Sequence, residues 1–160
     1  MADLAPWRGI PEEIRSALDD LVGRDCVLKR VSSDYGLSLG FERLTTNSVL
    51  THGLWEFVTY YCSWRVISVS RVLCASCDFF TSRDEAQHAI DEIELGKFMA
   101  LQQISDLDMR ILLDKGICVD VLRTISDDDD TLNVFIPGKR VAVFSSTGEW
   151  TLKRSDVGEE

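Results

Sequence analysis

The phrase "ALDDLVG" (Ala17–Gly23) returns, barely altered, as "AIDEIELG" (Ala89–Gly96). Such a pair marks a repeated helix if the flanking residues also match, and they do. Upstream of the first copy stands "IPEEIRSALDDL", in which Pro11 suits a first helical turn and Glu12 and Glu13 favour the positive helix start. Ile14, Ala17, Leu18 and Leu21 then share one face at helical spacing. In the second copy, "SRDEAQHAIDEI", Ser82 can cap and Asp84 and Glu85 fill the first turn. Ala86, Ala89, Ile90 and Ile93 form the matching stripe. Each helix is expected to stop at a glycine, Gly23 or Gly96, because glycine tolerates the left-handed exit.

The match continues downstream. "GRDCVLKRV" (from Gly23) aligns with "GKFMALQQI" (from Gly96), and "DYGLSLGFE" (from Asp34) with "DLDMRILLD" (from Asp106) after a one-residue shift. Leu37, Leu39 and Phe41 thereby stand over Met109, Ile111 and Leu113, the period-two alternation of a half-buried strand. Further on, "LWEF" (from Leu54) stands over "LNVF" (from Leu132), and "RVISVS" (from Arg65) over "RVAVFS" (from Arg140). Turns are expected at Asp114-Lys115-Gly116 and Pro137-Gly138-Lys139, while "VTYYCSW" forms a longer connection in the first copy. A spacing of about 72–78 residues in two copies exceeds the period of a solenoid. The pattern predicts an α+β fold: a tandem duplication of a helix plus antiparallel β-sheet unit, over 11–73 and 83–154. The two units are expected to pack as one pseudo-twofold body in a single domain, 1–160.

Composition sets the outer bounds. Twenty-seven Asp and Glu against seventeen Lys and Arg leave a formal charge of −10. That field disfavours nucleic acid, whose binding rests on cations releasing counterions, and disfavours anionic membrane surfaces. It favours a basic partner. "MADLAPWRGIPEEIR" lacks the basic start and apolar run of an export signal, and "WRVISVSRVLC" (from Trp64) is too short and too charged to span a bilayer. Five cysteines at irregular spacing are expected as free thiols, which predicts a cytoplasmic protein.

Candidate chemistry is sparse. Cys74-Ala75-Ser76-Cys77 is a lone CxxC without the second pair or the histidine pair of a zinc site, and it ends a strand instead of opening a helix. It is read as packing. His88 reads as a surface helix residue and His52 as a turn residue. No nucleophile elbow, metalloprotease or phosphate-loop spacing occurs. No enzyme, cofactor or metal site is therefore expected. Two features remain for contact with a partner: the acidic run Asp127, Asp128, Asp129 and Asp130, and an aromatic cluster that includes Tyr60, Tyr61 and Trp64. Trp64 is the expected pocket-filling anchor.

The second unit, "LGK…MRILLDKGICVDVL…DDDDTLNVFIPGKRVAVF", resembles an uncharacterised bacterial family of small acidic proteins, and "LWEF…WRVIS" in the first unit resembles it as well. That family is similar to the immunity proteins of polymorphic and contact-dependent growth inhibition toxins. The resemblance implies a non-enzymatic protein that binds and neutralises a cognate toxin domain, a basic nuclease. The alternative is a small-molecule-binding or regulatory module with a pocket between the two halves. A third reading is an enzyme using Cys62, Cys74 or Cys77.

Overall fold

The computed structural model describes residues 5–46, 50–78 and 80–155. The chain begins with α1 (Glu12–Ala17) and a single 3-10 turn (Asp19–Leu21). Five strands follow: β1 (Cys26–Val31), β2 (Leu37–Thr46), β3 (Thr51–Thr59), β4 (Ser63–Ser68) and β5 (Arg71–Ala75). After α2 (Arg83–Asp91) come β6 (Phe98–Gln103), β7 (Met109–Leu113), β8 (Cys118–Leu122), β9 (Leu132–Ile136), β10 (Arg140–Phe144) and β11 (Trp150–Arg154).

These strands form two antiparallel sheets, and each sheet draws on both halves of the chain. The six-stranded sheet has the order β1-β2-β3-β9-β10-β11, and the five-stranded sheet β5-β4-β8-β7-β6. This overturns the expected α+β duplication of a helix plus sheet unit. The fold is mostly β, with 47% strand and 12% helix, and neither 11–73 nor 83–154 owns a sheet. The physical reason lies in two connectors. The link after β3 does not turn back into a hairpin, and neither does the link after β8; each crosses to the other sheet. The phrases "LWEF" and "LNVF" are thus hydrogen-bonded neighbours, with Phe57 opposite Val134, and not counterparts in separate units.

Local expectations fare better. Ser82 caps α2 by accepting from the Glu85 amide at 3.2 Å, and Ala86 and Ile90 are buried. The first helix is shorter than expected, yet Ile14, Leu18 and Leu21 are all buried because the 3-10 turn keeps Leu21 on the same side. Gly23 and Gly96 both adopt positive φ, +84° and +82°. Gly23 follows the 3-10 turn as expected, but α2 already ends at Asp91, so Gly96 lies in the connector to β6 and is not the expected helix exit. There the halves meet: Cys26 N donates to Gly96 O at 2.8 Å and Phe98 N to Arg24 O at 3.0 Å. Lys97 Nζ closes the join on Asp25 Oδ1 at 2.9 Å.

The core lies between the sheets. Phe41 and Phe57 from the six-stranded sheet pack on Phe98 from the five-stranded one, with ring centroids 5.9 and 5.5 Å away. Leu37, Leu39, Met109, Ile111 and Leu113 are buried as their alternation demands. Two exposed edges are covered. Gln87 of α2 pairs with the β1 backbone at Val31 N and Lys29 O, both at 2.8 Å. Residues near the start of the chain pair with β6, with Trp7 N donating to Leu101 O at 2.8 Å. Such covering blocks strand-to-strand association. Among the described residues, no helix is long and apolar enough to cross a membrane.

Candidate functional site

The two crossover connectors run side by side. Residues 60–62 carry the chain from β3 to β4, and residues 123–131 carry it from β8 to β9. Tyr60 N donates to Thr131 O at 3.2 Å, and the Cys62 thiol reaches the same carbonyl at 3.4 Å. Thr131 is itself fully buried and its amide donates to Phe144 O at 2.9 Å, so the contact is anchored in the six-stranded sheet. Arg123 then fastens the acidic loop from within. Its Nη1 donates to Asp129 O at 2.5 Å and to Thr131 Oγ1 at 3.1 Å, and its amide donates to Asp108 Oδ1 at 2.9 Å.

The contact brings the Tyr60–Cys62 connector onto Thr131, the residue that follows the acidic run. Asp127, Asp128 and Asp129 are exposed and Asp130 is half-buried. Tyr61 is 58% exposed and adopts φ +48°, a left-handed conformation that non-glycine residues rarely take. Tyr60 is half-buried beside it. Burial raises the pKa of the Tyr60 hydroxyl, the charges of Asp130 and Glu56 raise it further, and a hydrogen bond with Asn133 opposes them. The phenol therefore stays neutral and available as a donor in an acidic setting.

Trp64 does not belong to this surface. It is 1% exposed and its Nε1 donates to Tyr35 O at 2.7 Å, which makes it a core residue and removes it as a pocket-filling anchor. Its place at the second position of β4 turns its ring inward, while Tyr61 sits in the connector and stays outside. His52 lies in β3 instead of a turn, with its ring against Thr45 Oγ1 and Gly53 O. His88 is on the exposed side of α2, 3.7 Å from Glu92.

The sequence reading overlooked three side chains. Arg123 organises the loop, while Glu56 and Asn133 lie on the outer face of the six-stranded sheet, next to Tyr60. The alternation of Trp55, Glu56 and Phe57 already placed Glu56 on the face opposite the core; that this face would bury it was not written there.

The cysteines support nucleophilic chemistry less well, and the hollows differ in size. Burial pushes the Cys62 and Cys74 thiols up to about 11, the reverse of what activates a nucleophilic cysteine. Cys74 is buried and Cys77 exposed, and both are free thiols. Where the halves meet, Asp25, Cys26, Lys29 and Glu94 border a hollow of about 230 Å³. That is below the roughly 300–1,000 Å³ of small-molecule pockets, whereas a hollow of about 490 Å³ bordered by Glu13, Lys139, Arg140 and Lys153 falls within that range. Comparison of the chain with family models finds no match, nor does comparison with curated proteins or with solved structures.

Proposed function

We propose that this chain is a non-enzymatic immunity protein that binds and neutralises a basic toxin domain in the cytoplasm. Its contact surface is formed by Tyr60, Tyr61 and Asp127–Asp130. The observation that carries the reading is the lateral contact of the two connectors, which brings Tyr60 and Cys62 onto Thr131 at the end of the acidic run. A nuclease holds phosphate with lysine and arginine, so carboxylates placed on those cations hold the toxin and cover its substrate-binding surface together. Tyr61 offers large contact area at little cost in side-chain entropy. Arg123 holds the loop backbone before a partner arrives, which lowers the ordering cost of binding. The surplus of 10 negative charges adds long-range steering that salt screens over a Debye length of about 10 Å at 0.1 M.

The test is growth rescue. Where a neighbouring gene encodes an exported protein with a toxic C-terminal segment, co-expression of the chain with that segment is expected to restore growth. Replacing Asp127, Asp128, Asp129 and Asp130 together by asparagine is expected to abolish rescue while leaving the melting temperature in place, because these side chains are exposed or half-buried. A wild-type chain that fails to rescue, or a quadruple variant that rescues equally well, defeats the reading.

A further inference from the structure

At the end of β9 away from the acidic loop, the chain gathers cations instead of carboxylates. The length of β9 (Leu132–Ile136) separates the two ends, roughly 17 Å of extended strand. Lys139 ends the turn after β9, Arg140 opens β10, and Lys153 and Arg154 close β11. These two strands are antiparallel, with Arg140 directly opposite Arg154. Like charges in that register repel and destabilise the pair. Lys139 adds a left-handed backbone, φ +59°, which non-glycine residues rarely take. Its carbonyl accepts from Ser155 N at 2.8 Å, which holds the turn against the end of β11.

The four cations border the hollow of about 490 Å³. The alternation that buries Ala142 and Phe144 puts Arg140 on the core-facing side of β10, and Leu152 and Arg154 take the same side of β11. Beyond the end of the core, α1 packs against β11 and brings Glu13 to the rim. All four cations are exposed, so a ligand reaches them from solvent. Elsewhere the chain ties its cations down: Lys97 to Asp25, Arg65 and Arg110 to Asp120, and Arg123 to the loop backbone. Among the described residues, none of these four takes part in an ion pair. Four unpaired cations therefore surround one carboxylate, in a chain whose formal charge is −10.

We infer that this hollow binds a compact, soluble ligand carrying two adjacent phosphate groups. The guanidiniums present planar forks that match phosphate oxygens in pairs, and the ammonium groups add point charges. A phosphate monoester carries about 1.5–2 negative charges at neutral pH, so two phosphates balance the four cations less Glu13. Charge selects against extended partners. A membrane or a nucleic acid brings its phosphates along a surface that is negative as a whole, whereas a small anion sits within the roughly 10 Å over which local charge acts. A bound anion also relieves the repulsion between Arg140 and Arg154, so ligand binding stabilises the strand pair. The site is separate from the Tyr60–Asp130 docking surface and does not depend on it.

The experiment is calorimetric titration of the full chain with inorganic pyrophosphate at about 0.15 M salt, with ¹H–¹⁵N NMR to place the site. Saturable binding with a Kd below about 1 mM is expected, with shifts at the Gly138, Lys139, Arg140 and Lys153 backbone amides and a raised melting temperature. Sulfate, a single dianion, is expected to bind at least tenfold more weakly. Replacing Arg140 and Arg154 together by glutamine is expected to weaken pyrophosphate binding at least tenfold while keeping or raising the melting temperature of the free chain. Lys153→Gln, at an exposed side chain, is a second variant with the same expected direction for binding. Glu13→Gln is expected to tighten binding, and the quadruple aspartate variant of the loop to bind as the wild type does. Phosphatidylcholine vesicles doped with a phosphatidylinositol bisphosphate are expected to leave the chain in the supernatant. Affinity no greater than for sulfate, unaltered affinity in the arginine variant, no gain in Glu13→Gln, shifts centred on residues 127–130, or retention on the vesicles each overturn the inference.

Discussion

Asp120 on β8 and Glu56 on β3 occupy comparable places. Each stands on the outer face of its sheet, on the strand that pairs across the join between the first and second halves of the chain. The register then separates them. Asp120 has Arg65 directly opposite on β4 and Arg110 directly opposite on β7. Glu56 has Phe135 on one side and Gly40 on the other. A carboxylate between two guanidiniums recovers in charge-assisted hydrogen bonds what it loses in hydration. Glu56, between a phenyl ring and a glycine, takes a backbone hydrogen bond from Gly53 but leaves Oε1 unmatched, and a buried acceptor left so costs about 1–3 kcal/mol. What decides the outcome is the cross-strand neighbour, not burial itself.

The largest expected effect comes from breaking the answered site. Asp120→Ala leaves two guanidiniums facing each other across one strand, and denaturant unfolding is expected to show a loss of about 3–5 kcal/mol. A loss below about 1 kcal/mol would remove the contrast between the sheets. Next, the two arginines should differ. The Arg110 side chain is 11% exposed and Arg65 is 41% exposed. Arg110→Ala is therefore expected to cost about 2–3 kcal/mol, as for buried hydrogen bonds to a charge. Arg65→Ala is expected to cost about 1 kcal/mol or less, because solvent screens it. Equal costs would show that the network does not distinguish its partners by exposure.

The smallest effect, and the most telling in sign, belongs to Glu56→Gln. Desolvation raises the Glu56 pKa above its ordinary 4.5, with His52 and Arg30 pulling the other way. The folded chain thus prefers the protonated acid. The stabilising contribution of that preference is complete below about 4.5 and is lost as pH rises through the folded-state value. Glu56→Gln is expected to be more stable than the wild type at neutral pH, by about 1 kcal/mol. That margin should shrink as pH falls toward 4.5 in paired melting curves. A glutamine variant less stable than the wild type at pH 7 would show that Glu56 already has its partner.

Much of the local structure was legible. The Ser82 cap, the glycine exit at Gly23 and the Pro137-Gly138-Lys139 turn follow from backbone requirements that particular residue types meet. The inward set Leu37, Leu39 and Phe41 follows from alternation alone. The function-bearing features were half legible. Asp127–Asp130 and Tyr60–Tyr61 stand out as composition, but Trp64 stands out equally and belongs to the core. One-residue phase decided that difference, and the strand boundary that set the phase is not marked by any special residue.

By itself, the amino-acid order determined the inward alternation of Leu37, Leu39 and Phe41, the cap of α2 at Ser82 and the negative charge of the whole. These depend on neighbours within a few positions, where side-chain shape and spacing act directly. Only the tertiary structure decided which strands share a sheet, and with that the meeting of Tyr60 with Thr131 and the different fates of Asp120 and Glu56. Strand partners are joined by backbone hydrogen bonds that every residue type except proline can supply, so the pairing of β3 with β9 leaves no signature in either strand.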